Sequence, residues 1–380
     1  MLFRSNNIAK GIPELEMEIA SSAPIPKAIL QNITANAYWK YYRNNRYKFY
    51  SRTNTINFNS GDLETWSAET LLKKACTLYQ SSLKMEDLLK KTSLRAYASI
   101  IESGNTRHLR PTLYDLLSQE ALAFFASGDL DINKPAYSFE LDQAEAFGNV
   151  QEFISFDFKT RDSLSSSHKA LQLFQKLLAF HEKDPKPDAL IDLDIQRIRF
   201  VYQHSVHLEK EKFYLRSLEN ISLHYGQLPA ASLASFYQAQ WYQDNGASFK
   251  PFGDSTHYLD LVKARAICQK VLKQKDSSEG KFRCNELLKK MSYPEMSFSI
   301  EKLNSPGLDM RAYIRYRNLS GLYFRVIAVR DSMKEKLKEQ YLGNYWNEIN
   351  DLPAEKKWVQ TLPLPDDMQE HSTEIRVDAL

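Results

Sequence analysis

The sequence predicts a mainly α-helical fold, an α-solenoid of tetratricopeptide-like antiparallel helix pairs, followed by a partial antiparallel β-sandwich. Upstream of Pro294, apolar residues recur with the period of an α-helix over most of the chain. Breaks rich in Pro, Gly and Asn separate these segments, and helix pairs recur at about 30–40 residues, which is typical of helical repeats. Downstream, Arg311, Tyr313 and Arg315 alternate with apolar residues, as in a strand with one dry face.

The composition bounds the size and class of the protein. A chain of 380 residues exceeds the roughly 250–300 at which a single core stops growing, so several regions are expected. We predict a helical region at 1–127, an irregular one at 128–166, a tetratricopeptide-like one at 167–293 and an incomplete β domain at 294–380. Lys and Arg total 50 against 47 Asp and Glu, so no positive field favours nucleic acid. No apolar run reaches the ~18 residues of a membrane span, and the N-terminus lacks the apolar core of a signal peptide.

Four helices are predicted in the first region. Pro24 and Pro26 open the first, two span residues 68–83 and 85–100, and the fourth starts near Thr112 and runs to Phe125. Residues 38–52 form a run of aromatic and basic side chains, a pattern that can stack on single-stranded nucleic acid. We favour the other interpretation, in which Trp39, Tyr42 and Phe49 pack on the next helix and the cations extend to solvent.

Residues 128–166 are predicted to form a long loop over the helices, because no clear periodicity is present there. Helices then return at 167–181, 188–204, 208–225, 230–245, 258–273 and 278–291.

The last region is predicted to be β. Strands are expected at 296–303, 310–316, 322–329 and 374–377, and a charged insertion at 332–357. The strands around residues 318–321 are predicted to form a hairpin, because Asn and Gly supply turn chemistry there. A sandwich needs about seven strands. We therefore expect the chain to stop within this domain at Leu380 and to leave unpaired edges.

Several phrases resemble one protein family. They are LRPTLYDLL at 109–117 with AL-FF after it, RNLSGLYFRV at 317–326, and LPLPDD with HSTEIRVDAL at the end. On these phrases, the chain resembles the N-terminal part of the large alpha-2-macroglobulin-like proteins of Bacteroidetes-type bacteria. The resemblance implies a macroglobulin-like β domain in an exported, periplasmic or extracellular, broad-spectrum inhibitor, of which this chain is the N-terminal excerpt. The resemblance also implies that target proteases bind to the full-length protein.

The thioester of that family is not expected in this chain. It forms when a Cys sulfur attacks the Gln of a Cys-x-Glu-Gln string, whereas the nearest string here is Cys284-Asn285-Glu286-Leu287. Leu287 has no carboxamide for the sulfur to attack. No bait segment is evident either, and no nucleophile elbow or Gly-rich turn indicates a catalytic site. We therefore predict no enzyme and no cofactor.

Cys268 and Cys284 are spaced evenly about the turn at Asp276 between two predicted helices. They form a disulfide if they face each other directly, since the bond needs Cα atoms within about 7 Å. Otherwise they are two buried thiols, and Cys76 is expected in the core.

Other polar pairs are weak candidates for chemistry. His204 and His207 could share one helix face, but a zinc site needs a third ligand, so we predict no metal. Asp192 and Asp194 would point to different helix faces. Asp366 and Asp367, after two prolines, are expected in an exposed loop.

The function expected from the resemblance is the scaffold of an endopeptidase inhibitor. The competing hypothesis is a stand-alone helical-repeat module that holds a protein or peptide partner on its helical surface.

Overall fold

A computed structural model describes residues 5–49, 63–99, 101, 104, 106–275, 277–301, 303, 305, 307–329, 333 and 345–378. The described chain is mainly helical, with antiparallel strands confined to its C-terminal part. It divides into two compact units, Met1–Ala234 and Ser235–Leu380, a division that differs from the predicted boundaries at 127, 166 and 293. Residues 332 and 334–344 of the predicted insertion at 332–357, and Asp276, lie outside the described residues.

The first unit is built from helices. Their bounds are α1 Ser5–Ser21, α2 Pro24–Asn44, α3 Arg46–Phe49, α4 Ala68–Ser82, α5 Glu86–Lys91, α6 Leu113–Ala126, α7 Val150–Ser155, α8 Ser166–His181, α9 Asp188–His204 and α10 Lys210–His224. Neighbouring helices pack together, α2 with α4, α8 with α9 and α9 with α10. Helix α11, Ser232–Gly246, follows a short 3₁₀ turn.

The aromatic run of α2 and α3 packs inward, as predicted. Trp39, Tyr42 and Phe49 are all buried. The Trp39 indole N–H donates to Asp129 at 2.8 Å, and its ring meets Phe124 edge-on with centroids 5.5 Å apart. These rings therefore belong to the core of the unit.

The third predicted helix, 85–100, was wrong in length. Helix α5 ends at Lys91. Within the described part of the predicted span, it is followed only by a 3₁₀ turn, Leu94–Tyr97. The chain leaves the helix because it pairs with the segment before α6. Leu94 N donates to Pro111 O at 3.1 Å, and Leu113 N donates to Thr92 O at 2.8 Å.

The segment 128–166 is less exposed and more regular than predicted. It contains a 3₁₀ turn at Ala144–Phe147 and helix α7, which Asn149 caps through a reciprocal bond with Glu152. Leu141 and Phe153 are buried. The segment is thus part of the core of the first unit.

The second unit joins helices to two small sheets. Its further helices are α12 Asp260–Leu272, α13 Glu279–Ser292 and α14 Tyr345–Asp351, and its strands are β1 Glu295–Ile300, β2 Met310–Arg317, β3 Gly321–Val326, β4 Lys356–Thr361 and β5 His371–Val377. All pairings are antiparallel, in the orders β1-β2-β5 and β3-β4. A shared apolar cluster joins the sheets through Ala312, Ile314, Tyr316, Leu322, Leu362 and Ile375.

The predicted hairpin was wrong. β2 pairs with β1 and β5, whereas β3 pairs with β4, so the turn between β2 and β3 carries the chain from one sheet to the other. Asn318 makes this corner. It adopts a φ of 54°, and its amide donates to Met291 O and Tyr293 O at 2.8 and 3.1 Å. Asn tolerates this left-handed conformation better than most residues.

Strand β4 was also missed, because its Lys-rich start was assigned to the charged insertion. Its register places Trp358 opposite Phe324, and the two rings stack with centroids 4.7 Å apart. This cross-strand ring pair stabilises β4, although the Lys residues at its start do not indicate a strand.

Candidate functional site

The first unit contains a cavity of about 350 Å³. The segment 128–141 forms one wall, α4 contributes Glu69 and Lys73, and the C-terminal end of α9 contributes His204. Gly128 turns the chain into this wall after α6 with a φ of 70°, a conformation that glycine adopts without strain. The cavity therefore depends on the segment that sequence periodicity leaves unassigned.

Hydrogen bonds fix the walls of the cavity. Glu69 binds Lys73 at 2.5 Å and accepts from the Asn133 amide at 3.0 Å. Asp131 accepts from the backbone N–H of Ser166 at 2.9 Å and from its hydroxyl, which ties the segment to the first turn of α8. Since these carboxylates already have protein donors, they suit the shaping of a binding surface better than proton transfer.

The charge of the cavity lining is mixed and mildly acidic. Its carboxylates are Glu69, Asp131, Glu140 and Asp162, and its ammonium groups are Lys73 and Lys134. Such a lining favours a basic group over an anion.

His204 stays uncharged at the edge of the cavity. Burial is the main cause that lowers the pKa of its imidazole, whose ring also packs on Phe200 with centroids 4.4 Å apart. His207 has other partners, since its Nδ1 accepts from Glu209 N at 3.0 Å and its ring packs on Phe213. Within the described ranges, no group of three or more His, Cys, Asp or Glu side chains is arranged to hold a metal ion.

A buried imidazole lies between two carboxylates in the first unit. His181 Nε2 lies 3.0 Å from Asp115, and Nδ1 lies 2.7 Å from Asp184. Burial alone would lower the pKa of His181, but hydrogen bonds and charge from Asp115 and then Asp184 outweigh it and raise the pKa. Asp115 also closes the capping box of α6 with Thr112 at 2.8 Å, so one carboxylate joins two helices.

Arg197 is a second buried charge, and it holds the segment 144–148 against α9. Its guanidinium is fully buried and binds Asp194 at 2.6 Å. It also donates to Ala146 O at 2.6 Å and to Gly148 O at 2.9 Å. Asp192 faces elsewhere and binds Arg110 at 3.1 Å, so the two predicted carboxylates are not an acid–base pair.

Cys268 and Cys284 meet between α12 and α13 as two free, fully buried thiols. The hydrogen bond between the two thiols, in which Cys284 keeps its proton, and then burial raise the pKa of Cys284, while the same hydrogen bond lowers the pKa of Cys268. Cys76 is also buried, as predicted for a core residue.

The predicted exposed loop at Asp366 and Asp367 was half wrong. Asp366 is exposed and binds Arg265 through both oxygens. Asp367 is buried, and it accepts from Tyr258 Oη at 2.8 Å and from His371 Nε2 at 3.0 Å. Burial opposes ionisation, but hydrogen bonds from the Gln369 N–H, His371 and Tyr258 outweigh it and lower the pKa of Asp367.

The same loop is also fixed through an amide. Gln369 donates to Gly246 O at 3.2 Å and to Tyr258 O at 2.9 Å. Gly246 leaves no room for a side chain, because a Cβ there would lie 2.7 Å from Leu261 N. The loop before β5 is thus bound to the residues between α11 and α12.

Sequence reasoning missed the His181 cluster, the cavity and the burial of Asp367. A signal was present only for the first, since Thr112 and Asp115 have capping-box spacing. The other two depend on residues that are remote in sequence.

Comparison of the chain with known protein families, curated proteins and solved structures finds no match. Among the described residues, no helix has both the length and the apolar character that crossing a membrane requires.

Proposed function

We propose that this chain is the N-terminal scaffold of a bacterial alpha-2-macroglobulin-like endopeptidase inhibitor, exported to the periplasm or beyond the cell. The observation that supports this most is the β part of the second unit. Its two antiparallel sheets share one apolar cluster, and their strands include residues 317, 321–326 and 371–377 of the stretches on which the resemblance depends. A solenoid-like helical part and a macroglobulin-like β domain belong to this proposal.

The proposal assigns no bait segment, thioester or catalytic activity to this chain. In support, Cys284-Asn285-Glu286-Leu287 lies inside α13, and Cys284 is fully buried. A helix satisfies its own backbone and holds this string in a regular conformation, unlike the strained turn that a thioester needs. The inhibitor would engage target proteases through other parts of the full-length protein.

The first experiment is the intact mass and cellular location of the native gene product, measured in a periplasmic extract. A product far longer than 380 residues in that extract agrees with the proposal. The purified product should then block digestion of a protein substrate by several unrelated endopeptidases, because a trapped protease is shielded from large substrates. A mature cytosolic species that ends at Leu380 would contradict the proposal.

The second candidate is a stand-alone helical interaction module, which the acidic cavity supports. We expect such a module to bind peptides with a Lys or Arg side chain that enters the cavity. Peptide arrays with a central Lys, Arg or Glu test this. Glu140→Lys, in the cavity lining, should abolish the preference for basic peptides, whereas Glu145→Lys, an exposed position in the same segment but not in the lining, should preserve it. Equal binding of all three arrays would remove this candidate.

A further inference from the structure

Among the described residues, strand β1 is paired on one side only. It binds β2 through six register pairs from Glu295↔Arg317 to Ile300↔Ala312. In the part of the chain that the structure describes, no strand lies on its other side, and all six of its residues are exposed. Its outer edge therefore presents backbone N–H and C=O groups to solvent.

One face of β1 carries an uncovered apolar row, Met296, Phe298 and Ile300. These residues lie directly opposite Tyr316, Ile314 and Ala312 of β2, so they share the face that covers the apolar cluster. The β2 residues are at most 3% exposed, whereas the row is 52%, 65% and 47% exposed. The buried face thus continues to the edge of the sheet and stops there without a cover.

The centre of β1 has none of the usual protection of an edge strand. Natural edges carry Lys, Pro or a bulge that discourages further pairing. Residues 296–300 read Met-Ser-Phe-Ser-Ile, without charge or proline, and their pairing with β2 is continuous. Such an edge accepts another strand unless something else prevents it.

The sequence of this strand is also self-complementary. Residues 295–301 read Glu-Met-Ser-Phe-Ser-Ile-Glu, which is the same polar and apolar pattern in both directions around Phe298. A two-fold interface requires this property, because each residue meets its counterpart through the axis. A partner strand of unrelated sequence requires no such symmetry.

We propose that β1 pairs antiparallel with β1 of a second copy of this chain, about a two-fold axis at Phe298. Phe298 then lies opposite Phe298 of the partner subunit, and Met296 lies opposite the partner's Ile300. The two three-stranded sheets become one continuous sheet with its apolar rows side by side. Glu295 approaches the partner's Glu301, and its contact with Arg317 at 2.6 Å offsets part of the repulsion.

A single added strand pair is a small interface, so we expect a weak dimer that forms with increasing concentration. Sedimentation of the full chain should show the shift from monomer to dimer. Phe298→Lys should abolish it, because two ammonium groups would face each other across the axis. Ser299→Lys is the matched control, since it adds the same charge to the other face of the strand and should preserve the dimer.

Disulfide trapping tests the register itself. Directly opposed residues of an antiparallel pair have Cβ atoms about 4.5–5.5 Å apart, close enough for a bond after a small adjustment. Phe298→Cys should therefore give a covalent dimer on mild oxidation. Ser299→Cys should not, because it would oppose the partner's Ser297. The native thiols Cys76, Cys268 and Cys284 are buried and should contribute little background.

Two results would overturn the proposal. One is a monomer at every concentration for the native chain, with Phe298→Cys and Ser299→Cys trapped to the same extent. The other is a monomer that takes up a synthetic strand peptide of alternating apolar sequence at β1, which would assign the edge to a different partner.

A folding control accompanies Phe298→Lys. Because Phe298 is 65% exposed, this variant should unfold near the native temperature, which would show that the loss of pairing does not reflect a loss of the fold.

Discussion

At the scale of single residues, His181 shows how the fold raises the proton affinity of a buried side chain. Both ring nitrogens meet carboxylates, Asp115 and Asp184, in a buried site. A raised pKa means that the folded state binds a proton more tightly than the unfolded chain does. The stabilisation from this proton is complete below the unfolded pKa of about 6.5 and is lost as the pH rises through the folded pKa.

We expect the free energy of unfolding to fall as the pH rises from about 6.5 through the folded pKa of His181. In His181→Gln this part of the pH dependence should disappear, and the loss of a buried pair should cost about 3–5 kcal/mol below that range. Urea unfolding between pH 5.5 and 8.5 measures both effects. The control is His224→Gln, an exposed site near the end of α10. The same pH slope in His181→Gln as in the native chain would contradict the assignment.

A separate prediction concerns the reactivity of the three buried cysteine thiols. The thiolate is the reactive species, and burial excludes the reagent and raises the pKa of Cys76. A thiol-titrating disulfide reagent should therefore find no reactive thiol in the native chain and three after denaturation. A count of one after denaturation would mean that Cys268 and Cys284 had formed a disulfide, which the sequence alone left undecided.

Some residue contacts follow from sequence, whereas others depend on the complete fold. The capping box of Thr112 and Asp115 follows from their local spacing. The bond from His181 to Asp115 joins residues 66 positions apart. Nothing near His181 indicates that distant partner, so the capping-box spacing predicts the role of Asp115 in α6 but not its bond to His181.

At the scale of elements, Arg197 fixes a segment that has little periodicity of its own. One guanidinium binds Asp194 and two carbonyl groups of the segment 144–148. The planar fork of Arg makes these bonds together, and Lys cannot copy that geometry. The 3₁₀ turn and α7 thus depend on a side chain of α9 for their position.

We expect Arg197→Lys to destabilise the first unit by about 3 kcal/mol, because buried acceptors lose their donors. Amide exchange should become faster in residues 144–155 before it does so elsewhere. The matched control is Arg199→Lys, two residues further along the same helix and only half-buried. Unchanged exchange in 144–155 would mean that other contacts hold this segment.

Element prediction succeeded where one local pattern decided the structure. Helix α9 has the predicted bounds, Asp188–His204, because its apolar period is unbroken and Ser205 ends it. The turn at Asn318 shows the opposite case. Turn chemistry is the same for a hairpin and for a corner between sheets, so the choice depended on where β1 and β4 lie.

At the scale of the whole molecule, the strands of the second unit are joined to its helices by hydrogen bonds. Asn318 donates to two carbonyl groups at the end of α13, and Asp367 and Gln369 bind the residues between α11 and α12. These bonds cross the predicted boundary at residue 294. The helices α11 to α13 are therefore part of the folding unit of the sheets.

We expect a fragment of residues 232–380 to fold and a fragment of residues 294–380 to remain unfolded. The shorter fragment loses the partners of Asn318, Asp367 and Gln369 and leaves these polar groups unsatisfied. Near-UV circular dichroism and cooperative urea unfolding distinguish the two. If the shorter fragment unfolds cooperatively, the sheets form a domain of their own and the predicted boundary is correct.

The corner at Asn318 also has a consequence for the order in which the second unit folds. Because β2 and β3 do not pair, the central strand β2 has β1 as its neighbour in sequence and β5 as its distant partner, with Arg311 and Glu374 63 positions apart. Closing such a long loop costs chain entropy before any contact is gained, so the pair β1–β2 should form first and β5 should join late. During that interval β2 exposes its second edge, and the nascent sheet is open to other strands on both sides.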